Sequence, residues 1–148
     1  MKKIYSSLLT PLALVLFTGC SKDILKNYED RIEGTWRLDD VDRLGFGSSS
    51  LTFTEGRFIF SSGGKLEYTD RFGGTYQGSW EIRKRRIQGN CNECDDQTVR
   101  SLSITAIDFA TRDVKTENFD DIKFTGTNKF NAFIHYNART YVFRFRRE

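Results

Sequence analysis

The feature that most constrains this chain is a two-residue alternation of apolar and polar side chains. It begins at Gly34 and is broken every few residues by turn-forming sequence. Such alternation buries one face of an extended strand and leaves the other wet. It marks strands over 34–43, 51–54, 57–61, 65–70, 75–87, 98–108, 119–125, 129–136 and 140–147. Glu55-Gly56, Gly63-Gly64, Gly73-Gly74, Gly89-Asn90, Gly126-Thr127-Asn128 and Asn137-Ala138 punctuate them. Trp36 with Leu38, Phe58 with Phe60, Leu66 with Tyr68, and Tyr76, Gly78, Trp80 and Ile82 each share a face. Leu102, Ile104 and Ala106 continue the pattern, as do Ile122 with Phe124, then Ala132, Ile134 and Tyr136, then Tyr141, Phe143 and Phe145. One apolar face per strand and short hairpins predict an antiparallel all-β domain. Eight or nine strands suit a closed up-and-down barrel, with a β-sandwich as the alternative. No helical period follows Gly34, which disfavours a parallel βαβ fold.

Residues 1–19 belong to a leader: Lys2 and Lys3, an apolar core from Leu8 to Phe17, and then Phe17-Thr18-Gly19-Cys20. Small residues before a cysteine, after an apolar run too short to span a bilayer, predict lipid attachment at Cys20. Ser21 resembles the signal for outer-membrane delivery, and Ser21-Lys22-Asp23 partly resembles a surface-export tag. A helix is predicted over Asp23–Glu33, with Ile24, Leu25, Tyr28 and Ile32 on one stripe, Asp23 at its start and Gly34 at its stop. The organisation expected is therefore a leader over 1–19, a lipidated tether and helix over 20–33, and a β-domain over 34–148.

Losing the leader takes two lysines from 23 basic residues, against 20 acidic ones, so the mature chain is close to neutral. That gives no case for nucleic-acid binding. Cys91 and Cys94 form an even pair in an oxidising compartment. A redox pair calls for a helix start after a strand, and none follows; structural zinc needs four ligands, and His135 is the sole histidine. The reading is a disulfide across a hairpin loop, with no metal and no cofactor expected.

Catalytic motifs are sparse. His135 faces away from Ile134 and Tyr136 and has no accompanying nucleophile, and the stretch 45–50 is Gly-rich but lacks a phosphate-loop lysine. The expectation is a non-enzyme. Arg83-Lys84-Arg85-Arg86 reads as a solvated strand end facing Glu93, Asp95 and Asp96, or as a contact for anionic headgroups.

Gly34-Thr35-Trp36 at the start of the first strand resembles the Gly-x-Trp opening of lipocalins. With Leu51-Thr52-Phe53, Glu55-Gly56 and Gly78-Ser79-Trp80-Glu81-Ile82, it resembles more closely the lipocalin-like lipoproteins of Bacteroides-type bacteria. The resemblance implies a barrel closed at one end by Gly34 and Trp36, with Arg144 or Arg146 of the last strand over the indole, and a long first loop overhanging the mouth. It also implies a small apolar or amphipathic ligand inside, lined by Phe58, Phe60, Tyr68, Trp80, Phe124 and Phe143. Arg139 and Tyr141 resemble the carboxylate clamp of fatty-acid-binding proteins. The competing expectation is an interior filled by the same aromatics, in a module that meets a protein partner of the cell envelope.

Overall fold

The computed structural model describes residues 26–46, 50–87, 97–136 and 138–148. The leader, the lipidation site at Cys20, and the pair Cys91 and Cys94 lie outside the described residues. The chain is mainly β: one helical turn and a half, α1 (Tyr28–Ile32), then β1 (Gly34–Leu44), β2 (Gly56–Ser61), β3 (Lys65–Thr69), β4 (Thr75–Ile87), β5 (Gln97–Ile107), β6 (Val114–Phe119), β7 (Asp121–Phe124), β8 (Lys129–Tyr136) and β9 (Arg139–Arg147). All pair antiparallel in a single sheet, ordered β6-β5-β4-β3-β2-β1-β9-β8-β7.

Four sequence expectations need correction. The helix starts at Tyr28, because Asn27 is extended and its side chain caps the Asp30 N–H at 2.7 Å. Leu51–Thr54 is not a strand. Val114–Phe119 is one, paired along β5, although it lacks a clean alternation. Finally, the ladder does not close: β6 and β7 are its two edges.

Those edges are consecutive in the chain, separated only by Asp120. Two neighbouring carboxylates occupy the break. Asp120 Oδ2 accepts from the His135 N–H of β8 at 2.7 Å, and Asp121 Oδ1 accepts from the Arg100 N–H of β5 at 3.1 Å. Each supplies an acceptor to a strand amide where the ladder is interrupted.

Within the sheet most inward residues follow the predicted alternation, but Tyr136, expected inside, is exposed at the end of β8, and Val142 and Asp121 are buried on the opposite face. β1 also carries one shift. A bulge between Leu38 and Asp40 keeps Trp36 and Leu38 inward and turns both Asp39 and Asp40 outward. There Asp39 pairs with Arg37 and with Arg146, each at 2.8 Å, while Arg144 bridges Asp40 and Asp42. Inside, Trp36, Phe53, Phe58, Phe60, Phe119, Phe130, Phe143 and Phe145 are all fully buried. Each such aromatic contributes roughly 2–3 kcal/mol of apolar burial. Gly78 leaves no void, because a Cβ there would meet Thr105 O of β5 at 1.8 Å. Only glycine admits that approach.

Candidate functional site

The two ends of the sheet are built differently. At the base, where α1 meets β1, the Trp36 indole N–H donates to Ile32 O at 2.6 Å and its ring meets Phe130 edge-on at 4.7 Å. Arg147, the last residue of β9, pairs across the sheet with Trp36 and lies over its ring at 4.4 Å. Its guanidinium donates to Arg31 O at 2.6 Å and to Glu33 O at 2.9 Å, satisfying carbonyls at the helix end. Gly34, at φ 126°, makes room: a Cβ would sit 2.5 Å from Arg147 Nη1. Gly34 and Trp36 thus sit together where α1 meets β1, and the arginine over the indole is Arg147. Arg144 and Arg146 point outward into the carboxylates of β1. The alternation that puts Phe143 and Phe145 inside already places residue 147 with them.

At the opposite end, residues 50–55, which lead into β2, reach the edge strand β6. Thr52 donates from its amide to Glu117 Oε2 at 3.1 Å and from its hydroxyl to Thr116 O at 3.0 Å, both on the edge strand β6. This strap drives Phe53 inward, where its ring meets Phe58 at 5.3 Å and Tyr68 at 4.9 Å. Sequence reading placed Phe53 in a strand, and no local pattern marks it as a plug.

The expected ligand-lining residues are brought together, but against one another. Phe58 contacts Tyr68 at 4.7 Å and Phe145 at 5.4 Å, Phe60 contacts Trp80 at 5.8 Å, and Phe143 contacts Phe119 at 4.9 Å. Phe124 belongs to the base, between Tyr28 at 5.1 Å and Phe130 at 5.5 Å, with Arg31 over its face at 4.2 Å. The Trp80 indole donates to Ser61 O at 3.1 Å. The Tyr68 hydroxyl donates to Glu55 O at 3.0 Å, and burial, then the charge of Asp70, pushes its pKa up to about 12. Two of the clefts on the molecule lie outside this cluster. One is lined by Arg37, Asp39, Glu55, Arg57 and Asp70, the other by Lys26, Asp30, Glu33 and Arg147. Neither is lined by Phe58, Phe60, Tyr68, Trp80 or Phe143.

Arg139 and Tyr141 alternate onto one face at the start of β9. Tyr141 is buried, and Arg139 Nη1 is buried with no hydrogen-bond partner among the described residues. His135 is exposed, its Nδ1 3.1 Å from Thr140 Oγ1. Among the described residues no three His, Cys, Asp or Glu side chains gather as a metal site. Comparison with family models, with curated proteins and with solved structures gives no match.

Proposed function

We propose that this chain is a non-catalytic, lipid-anchored protein of the outer membrane, and that its β-domain is a filled scaffold working through its surface. The observation that carries the reading is Phe53. A strap tied to β6 seats it on Phe58 and Tyr68, at the place a ligand would have to enter. The aromatics expected to line a cavity instead bury one another, which is how a barrel of about eight strands fills its interior when it carries no ligand. In this reading β6, Asp120 and β7 act as one bent strand that completes a lipocalin-like barrel covalently where hydrogen bonds do not. Gly34, Trp36 and Arg147 close its base, and the short segment from Cys20 to Lys26 holds that base near the membrane.

Native mass spectrometry of the mature chain with Cys20→Ser, exposed to envelope lipid extract, tests this reading. The expected result is the bare protein mass throughout. A bound lipid mass that disappears in the folded double variant Phe58→Trp and Phe143→Trp overturns the filled interior and restores the carrier.

A further inference from the structure

The β4–β5 hairpin outruns its neighbours at the base, the end away from the strap-bearing rim. β3 stops pairing with β4 at Ser79, and β6 stops pairing with β5 at Leu102. Five further pairs, from Arg83 opposite Ser101 to Ile87 opposite Gln97, join β4 and β5 alone. Where β6 leaves this ribbon, Asp120 turns the chain towards β8, its amide donating to Phe133 O at 2.7 Å. The departure opens a cleft of about 440 Å³ on the outer face of the sheet. Its walls include Arg83, Arg85, Ser101, Ser103, Asn118 and Asp120.

Both signs of charge meet in this cleft. Arg83 is held by Glu81 at 2.8 Å, in an exposed pair that water weakens. Arg85 lies two residues on and has no carboxylate partner among the described residues. Asp120 Oδ2 accepts from the His135 amide at 2.7 Å, and its Oδ1 has no partner among the described residues. The same holds for the Ser103 hydroxyl and the Asn118 side-chain amide, each of which can donate and accept. Over 81–100 the basic Arg83, Lys84, Arg85, Arg86 and Arg100 are nearly matched by Glu81, Glu93, Asp95 and Asp96. That balance disfavours a purely anionic ligand. An unpaired cation, an open carboxylate oxygen and neutral donors in one cleft match a ligand that carries both charges.

We propose that this cleft binds a zwitterionic lipid headgroup, a phosphodiester bearing a primary ammonium, from the membrane that holds the anchor. Arg85 and Arg83 take the phosphate oxygens, and Asp120 Oδ1 accepts from the ammonium. Ser103 and Asn118 supply further hydrogen bonds. The cleft lies at the anchored end: Arg100, next to Ser101, sets its guanidinium over the ring of Tyr28 in α1 at 4.0 Å. From Lys26 back to Cys20 the chain reaches at most about 20 Å. A neutral saccharide would answer neither the free guanidinium nor the free carboxylate oxygen. The proposal rests on the lipid-anchored reading above and goes beyond it, giving the domain a second hold on the membrane.

Amide NMR of the full mature chain carrying Cys20→Ser, titrated with glycerophosphoethanolamine, tests the site. Saturable shifts are expected at Ser103, Asn118 and Asp120, and none at Thr127 in the β7–β8 turn. Inorganic phosphate, and glycerophosphocholine, which has no ammonium hydrogens, should each bind about tenfold or more weakly. Arg85→Gln should weaken glycerophosphoethanolamine by a similar factor. So should Asp120→Asn, which keeps an oxygen for the His135 amide; Arg85→Gln alone serves if that variant loses its thermal transition. Phosphate or glycerophosphocholine binding as tightly, shifts indifferent to Arg85→Gln, or no shift at the cleft overturn the proposal. The titration needs no lipid on Cys20, so the two readings fail separately. Cleft shifts in a chain that takes up no labelled palmitate would remove the anchor and leave the headgroup site standing.

Discussion

The base and the rim bury comparable aromatics by different means. At the base, Trp36 is held by a strand on either side of β1, by a hydrogen bond to α1 and by the guanidinium of Arg147. At the rim, Phe53 comes from a segment without secondary structure, tied to its neighbour by the two hydrogen bonds of Thr52. The comparison separates closure by architecture from closure by attachment. The first shares its free energy with the whole sheet, whereas the second can open by itself.

The largest effect should come from truncating both plugs. Trp36→Ala is expected to cost about 3–5 kcal/mol in chemical denaturation, since it empties a fully buried site and removes the ring beneath Arg147. Phe53→Ala removes an equally buried ring, but the strap can settle into part of the space. Its expected cost is nearer about 2–3 kcal/mol. Equal costs would mean that the strap is as rigid as the sheet, and the distinction would fail.

How far the sequence discloses these two ends follows the same division. The base was legible because its parts repeat a period: Trp36, Phe143 and Phe145 fall on one face by counting in twos, and so does Arg147. The choice of Arg144 or Arg146 came from a likeness to lipocalins, and the pleat decides against it. The rim was much less legible. Phe53 sits between threonines with no alternation around it, and its burial depends on contacts with residues distant in the chain. The strand Val114–Phe119 carries apolar residues only at its ends, so pairing with β5 makes it a strand. Whether the interior holds space was not written locally either. Gly78 has no side chain to fill the inward face, and the backbone of β5 takes the space.

Alkaline pH should open the rim before the base. The Tyr68 hydroxyl, raised to about 12 in the folded protein, titrates near 10 once unfolded. Between those values the folded state binds the extra proton, so stability is level below about pH 10 and falls as pH rises through about 12. The loss should be on the order of 2 kcal/mol. Tyr68→Phe should flatten most of that fall, while Tyr136→Phe at an exposed site should not. Tyr68 packs on Phe53 and holds Glu55 O, so strap amides should lose exchange protection before Trp36 fluorescence changes. Simultaneous loss of both signals would argue that the two ends open as one unit.

The smallest effect tests the attachment itself. Thr52→Val keeps the shape of the side chain and removes only the hydroxyl donated to Thr116 O. That carbonyl belongs to an edge strand and water can replace the donor, so the net loss should be about 0.5–1 kcal/mol. Such a loss is too small to move the global denaturation midpoint far, yet it acts wholly on the strap. Hydrogen exchange should therefore quicken about two- to fivefold at the amides of the strap, where opening is local. The amides of Trp36 and Phe145, which open only with the sheet, should change much less. Uniform acceleration at both ends would show that the strap is part of the cooperative core, and that Phe53 is sealed in as firmly as the tryptophan at the base.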